Sequence, residues 1–402
     1  MEHSCEQNQR LMKLGSSTPK PPFGGKIRQR RLSRITYQMF DLTKKEQDFI
    51  VLILVLLLLC KLVIPYPNFA MWFGFALASY SAIANDSIQT IGAFIASNAH
   101  RKWWHLWLFM GLIFVGTVIY SWITYNGDVS YQRLTAKGFA EAPQTFGFAR
   151  LLAPIVLLVL TRMRIPVSTT FLLLNIFATD ANAMLSVLQK SLYGYLIAFL
   201  LAIAVWSLTA RLTKRYFKGR PGPGWAVLQW VTSGLLWSVW LMQDASNIAV
   251  FLPRKLDLLS LFMFVGLIFS GLGILFYLKG DRMQKLVNEK AGITDIRAAA
   301  LVDLVYMFIL FYFKNLNNLP MSITWVFIGL LGGRELAIGL AKNKSKKRDK
   351  VLQKSLKCIR KDLKHACIGL IISIILAILV NPIIREAMYE VMLSWTGQAK
   401  TS

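Results

Sequence analysis

Eleven apolar stretches recur along the 402-residue chain, at 49–65, 69–97, 103–125, 146–161, 166–179, 182–210, 225–253, 258–278, 298–313, 319–341 and 366–384. Several reach the ~20 residues that carry a helix through a bilayer. In hydrocarbon every backbone N–H and C=O must be paired within the protein, which leaves helices or closed barrels. The ~10-residue alternating segments of a barrel are not seen. Charged residues make up 16% of the chain against 55% hydrophobic, too few to clothe a water-soluble body of this size. The sequence therefore predicts an all-α polytopic membrane protein with about eleven membrane segments. The stretch 166–179 is short for a full crossing and reads as a partial or re-entrant helix.

The formal net charge of +26 invites a nucleic-acid reading, but the distribution of charge argues for topology. Lys and Arg concentrate in short segments between apolar runs: Lys26 to Arg34, Arg211 to Arg220, Lys279 to Lys290 and Lys342 to Lys364. Cytoplasmic loops of membrane proteins carry this bias. With the N-terminus cytoplasmic, eleven crossings place these stretches, Arg101-Lys102 and Arg162/Arg164 all inside. Arg254-Lys255 is the one discord. The bilayer is the expected partner and nucleic acid is not. The expected location is the cell membrane, plasma or bacterial inner. The first 48 residues read as a basic disordered cytoplasmic segment, too long and polar for a secretory leader. A first extra transmembrane helix follows at 49–68. The twelve Trp residues, Trp103, Trp104 and Trp107 among them, read as interfacial anchors.

The chain also repeats itself. Asn85-Asp86-x-x-Gln89 is echoed by Gln243-Asp244-x-x-Asn247, and Pro166-Val-Ser168-Thr169-Thr170 by Pro320-Met-Ser322-Ile-Thr324, at offsets of 158 and 154 residues. Two echoes in the same order at nearly one offset define two units, 69–224 and 225–384, with a tail at 385–402. Each unit holds five segments. A duplicated unit with an odd number of crossings enters the membrane from opposite sides, so the halves form inverted-topology repeats with short or broken helices.

A carboxylate within an apolar segment costs at least ~2.5–3.5 kcal/mol on insertion scales and so meets a partner, an ion or water. Asp86 and Asp244 admit two readings. One is a helix N-cap, since Asn-Asp-Ser is good capping chemistry. The other is a monovalent cation site of carboxylate, amide and backbone oxygens, favoured because both halves carry the acid. The Ser/Thr motifs likewise admit ordinary N-caps or packing contacts. Alternatively they form helix starts where free N–H groups, hydroxyls and the helix dipole converge on an anion. Asp303 reads equally as a coupling residue or a cap, and Arg334-Glu335 as a local ion pair. Four scattered histidines and no nucleophile–base pair disfavour an enzyme.

The two motif pairs resemble those of the inorganic phosphate transporter (PiT) family, which includes phosphate and sulfate permeases. Its signature is G-x-N-D-x-x-N-x-x-G followed in each half by P-V-S-T-T. Here Gln89 stands for the second amide Asn, Gln243 for the first, Val250 for the closing Gly and Ile323 for the middle Thr, so the chain looks like a divergent member. The resemblance implies secondary active symport of inorganic phosphate or a related oxyanion with Na⁺ or H⁺, by alternating access. It places Asn85, Asp86, Gln89, Gln243, Asp244 and Asn247 at the cation and Ser168, Thr169, Thr170, Ser322 and Thr324 at the anion. It implies no cofactor beyond Na⁺ as coupling ion. A non-transporting membrane scaffold or sensor that keeps the fold is the alternative, and a homo-oligomer is left open.

Overall fold

The computed structural model describes residues 46–136, 138–163, 165, 167–216, 221–278, 296–340 and 346–395. The basic stretches 26–34 and 279–290, Arg164 and Pro166 lie outside them. Among the described residues there is helix and no strand. The α-helices in chain order are α1 Gln47–Val63, α2 Pro67–Ala82, α3 Ile88–Ser97, α4 Trp103–Thr124, α5 Phe148–Arg162, α6 Ala181–Tyr216, α7 Pro223–Ala249, α8 Leu258–Tyr277, α9 Ile296–Leu316, α10 Ile323–Leu340, α11 Lys346–Val380 and α12 Pro382–Trp395. Seven of them are long and apolar enough to cross a membrane alone. This is an all-α, polytopic integral membrane protein.

The starts of these helices follow local chemistry. Pro67 and Pro223 occupy the first turns of α2 and α7, where a missing N–H costs nothing. Asp257 caps α8 by accepting from the Ser260 amide at 3.4 Å, which lowers its own pKa. α2 and α3 are one continuous rod interrupted by a π-helical turn, Ile83–Ser87, that carries Asp86. The stretch 166–179 is indeed not a regular α-helix: it holds a π turn, Thr170–Leu174, and a 3₁₀ turn, Asn175–Phe177. π turns of this kind cluster at functional sites because they re-aim side chains within a helix.

The two halves exchange partners. The first helix of each half packs on its own third, α2 on α5 and α7 on α9. The second helices, α4 and α8, pack on each other. The last helix of each half packs on the Ser/Thr segment of the other: α6 on α10, and α11 on the Thr170 π turn. A two-fold axis relating the halves produces this pattern.

Loop contacts sort the chain ends into two faces. On one, Arg162 pairs with Glu46 at 2.7 Å, Arg101 lies over the Trp230 ring and Trp103 meets Tyr277 edge-on. On the other, the Thr179 amide donates to Gly138 O and the Leu256 amide to Gly127 O, and buried Arg133 donates to Asn317 O at 2.6 Å and Lys314 O at 3.1 Å. These groupings match the alternation of eleven segments. Arg254, the discordant charge, is on the second face for a structural reason. Its guanidinium donates to the carbonyls of Val250, Leu252, Phe139 and Glu141, satisfying acceptors that the end of α7 and the 126–147 loop leave open. Burial lowers Arg133 and Arg254 to a pKa of about 10, so both stay charged at neutral pH.

Three expectations need correction. Trp206, Trp237, Trp240 and Trp325 are buried and pack inside; Trp237, for example, donates to Met110 O at 3.0 Å. Among the Trp residues named as anchors, Trp104 is exposed at the start of α4, whereas Trp107 donates to Phe269 O between α4 and α8. The basic stretch 342–364 is mostly not a loop, because α11 begins at Lys346 and runs unbroken into the apolar span; Lys and Arg propagate a helix well. Finally, Asp303 lies inside α9 and is no cap: Ser233 of α7 donates to it.

Candidate functional site

All eleven candidate residues are buried. Asp86 is the hub. Its Oδ1 accepts from Asn85 Nδ2 at 2.8 Å, Gln89 Nε2 at 3.3 Å and Thr324 Oγ1 at 3.3 Å, and its Oδ2 accepts from Thr169 Oγ1. Thr169 belongs to the same half as Asp86 and Thr324 to the other, so one carboxylate ties both Ser/Thr motifs together. From α7, Asn247 Nδ2 donates to Thr169 Oγ1 at 2.9 Å, to Thr170 Oγ1 at 3.1 Å and to Asp244 Oδ1. The Asp86 and Asp244 carboxylates are thus joined through Thr169 and Asn247.

Asp244 is in the last two turns of α7 and Asp86 inside a π turn, so neither is an N-cap. The capping reading does describe Ser168 and Ser322. Each accepts from the amide three residues on, Phe171 and Trp325, at 3.3 Å. Ser322 also donates its own amide to Ser191 Oγ at 2.8 Å. Gln243 donates to Leu310 O at 2.7 Å and stands beside the network through its neighbour Asp244.

The two Ser/Thr segments contact each other reciprocally. Thr170 Oγ1 donates to Met321 O at 3.1 Å, and Thr324 Oγ1 shares its one proton between Val167 O, at 3.4 Å, and Asp86 Oδ1. Residues 167 and 170 correspond to 321 and 324 at the repeat offset of 154, so these are one contact made twice, as a two-fold axis requires. The equivalent rings of Phe171 and Trp325 also meet, centroids 6.2 Å apart. The axis passes between these segments.

The two aspartates are not equivalent: Asn85 donates to Asp86 whereas Gln243 donates to Leu310 O, and Thr324 reaches Asp86 whereas Thr170 makes no bond to Asp244. Thr169 donates to Asp86, but its counterpart is Ile323, which has no hydroxyl. Asp244 Oδ2 correspondingly has no hydrogen-bond partner among the described residues. Asn85 Oδ1, Gln243 Oε1 and Asn247 Oδ1 are buried without a partner in the same way. Buried acceptors are nearly always satisfied, and these four belong to the two aspartate motifs. Carboxylate and amide oxygens with no donor aimed at them are the chemistry that a hard cation such as Na⁺ takes as ligands. Among the described residues no Lys or Arg enters the hydrogen-bond network of the two carboxylates.

Missed from sequence was a second polar cluster nearer the first face. Asn98 Nδ2 donates to Gln229 Oε1 and Gln229 Nε2 to Ser97 Oγ, both at 2.8 Å. A Ser-Asn pair at the end of α3 and a lone Gln in α7, 131 residues apart, give no motif to find. Also missed were Lys190, which donates to Asn317 Oδ1 at 2.6 Å, and Ser191, which sets the Ser322 backbone.

Fold and site together define a polytopic membrane protein with a buried two-carboxylate centre where its halves meet. Neither a family model nor a curated protein matches the sequence. A solved structure described as the sodium-dependent phosphate transporter is similar over 76% of this chain and 98% of that one, at 17% identity and a TM-score of 0.43. At that level the reading of the site rests on its own residues.

Proposed function

We propose that the chain is a secondary active transporter of inorganic phosphate or a related oxyanion, coupled to Na⁺ or H⁺ by alternating access. The observation that carries this reading is the network in which Asp86 accepts from Thr169 of one half and Thr324 of the other. A site built from both halves must be remade when the halves move against each other, which is what alternating access demands.

The electrostatics supply the coupling. Two adjacent buried carboxylates repel an oxyanion and each other until a cation or proton compensates them. With no Lys or Arg among the described residues in the network, an oxyanion near Ser168–Thr170 and Ser322–Thr324 draws on the cation for its binding. Each ligand then raises the affinity of the other. Asn85, Gln243, Asp244 and Asn247 would hold the cation through their unpartnered oxygens. The face bearing Arg101 and Arg162 is cytoplasmic in this reading, as the positive-inside rule directs.

Counterflow of labelled phosphate and sulfate in proteoliposomes, with and without Na⁺ or pH gradients, tests the proposal. Gradient-dependent accumulation of either anion supports it. No flux of either under any gradient overturns it for these substrates and favours the scaffold or sensor reading. A finer prediction concerns Ile323. In Ile323→Thr the added hydroxyl donates to Asp244 Oδ2 and competes with the cation for it. Half-saturation by the coupling cation should then need roughly five-fold more cation, as one hydrogen bond of ~1 kcal/mol implies, while half-saturation by the anion at saturating cation stays put. A shift in the anion constant alone would instead place this hydroxyl ring on the anion.

A further inference from the structure

A crevice of about 580 Å³ opens between α4 and α7, away from the carboxylates. Its walls are Phe109 and Ile113 of α4 with Val227, Trp230, Val231 and Leu235 of α7, and Arg101 closes one end. Val227, Val231 and Leu235 are 65%, 51% and 48% exposed, which in a membrane-crossing helix means that they face lipid. Along α7 the lining runs from Ala226 to Ser238. Those twelve steps span about 18 Å at 1.5 Å per residue, close to the ~15 Å hydrocarbon depth of one leaflet. The volume is within the ~300–1,000 Å³ of sites that hold small amphiphilic molecules.

The polar end of the crevice is built rigidly. The Trp230 ring packs on Phe94 and Phe109, with centroids 5.2 and 4.6 Å away. Its indole N–H donates to Asn98 Oδ1 at 3.0 Å, and Asn98 is held in turn by Gln229. The Arg101 guanidinium lies over that ring, 5.0 Å from its centroid. Arg101 and its neighbour Lys102 are exposed, and among the described residues no carboxylate pairs with either. A one-leaflet apolar slot that ends in the Arg101 guanidinium, with the exposed Lys102 next in the chain, matches one chemistry: an acyl chain joined to an anionic headgroup.

We propose that this crevice is a binding site for one anionic diacyl phospholipid, with an acyl chain between α4 and α7 and the phosphate on Arg101 and Lys102. The site lies on the face that carries Arg101, Lys102 and Arg162, the cytoplasmic one in the proposed reading, so its lipid comes from the cytoplasmic leaflet, whose anionic surface attracts such residues. The polar cluster of Ser97, Asn98 and Gln229 sets the Trp230 platform and thereby the guanidinium. Occupancy would join α4 to α7, and so one half of the protein to the other.

The test is native mass spectrometry of the full chain in detergent, titrated with dioleoyl phosphatidylglycerol or dioleoyl phosphatidylcholine. One phosphatidylglycerol should be retained at concentrations where phosphatidylcholine is not. Arg101→Gln should weaken that adduct roughly five-fold and the Arg101→Gln/Lys102→Gln double variant roughly 25-fold, from ~1 kcal/mol per basic residue. Val231→Trp, on the lipid-facing rim, should fill the slot and remove the adduct; Leu235→Trp serves if that variant unfolds. Equal retention of both lipids, unchanged in Arg101→Gln, would mean ordinary surrounding lipid and overturn the proposal. So would a dimer that Val231→Trp dissolves irrespective of lipid, since a second copy would then fill the crevice.

Discussion

Replacing Asp86 by Asn should abolish cation-driven anion uptake while leaving the protein inserted and monodisperse in detergent. The carboxylate accepts from Asn85, Gln89, Thr324 and Thr169, and an amide in its place offers one acceptor oxygen and introduces an N–H₂ among donors. Losing two charge-assisted hydrogen bonds at ~1.5 kcal/mol each gives at least a ~100-fold fall in coupled flux. Asp244→Asn should do the same by another route, because Oδ2 of Asp244 has no hydrogen-bond partner among the described residues and is the oxygen the proposed cation would take. Substituting it leaves the protein's own contacts nearly intact. The cleanest readout is Na⁺- or H⁺-gradient-driven uptake in proteoliposomes beside thermal unfolding in detergent. Full uptake by both variants would rule out the cation assignment.

The second large effect concerns stability. α6 and α10 approach closely because Gly329 and Gly333, one turn apart, face α6. A Cβ at Gly329 would overlap the Tyr195 carbonyl, and one at Gly333 the Phe199 carbonyl. These are backbone atoms a turn apart on α6, and neither can swing aside. Small residues at this spacing let membrane helices touch backbone to backbone. Gly333→Val should cost at least ~3 kcal/mol, above the usual overpacking penalty because backbone must move, and should be seen as aggregation or a much lower unfolding midpoint. Gly332→Ala is the control: its Cβ would meet the Phe199 ring at 3.5 Å and the Ile359 side chain at 3.6 Å, ordinary contacts, and its stability should match the parent protein. Loss of α6–α10 contact would also displace Ser322, whose amide Ser191 on α6 receives. Transport should therefore fall with stability in Gly333→Val.

Much of this architecture was legible because the bilayer restricts what an apolar run can do. Twenty uncharged residues in lipid must become a helix whatever their order, so the spans could be counted. The paired motifs could be found because Asp86, Asp244 and the Ser/Thr triplets are polar residues set in apolar sequence. Less legible was anything that depends on which neighbour a side chain meets. Arg254 looked like a topological exception and is a clamp on four carbonyls. Trp237 and Trp240 looked like interfacial residues and are packed inside, because an apolar ring fits both places. The π turns at Ile83–Ser87 and Thr170–Leu174 have no sequence signature, since they form when tertiary partners absorb the backbone groups that a regular helix would pair.

The sequence alone determined that the chain crosses a membrane as helices, that it is duplicated, and which polar residues are committed to apolar surroundings. Those are consequences of solvent and composition, and they hold before any two segments meet. Only the tertiary structure decided that the motifs form one centre. It set Asp86 against Thr169 of its own half and Thr324 of the other, made Thr170 and Thr324 reach each other's segment across a two-fold axis, and left an oxygen of Asp244 with no partner among the described residues, where Ile323 stands in place of a threonine. Hydrogen bonds are satisfied by atoms a few ångströms apart in space, and residues 86 and 324 become neighbours only once the two halves have folded against each other.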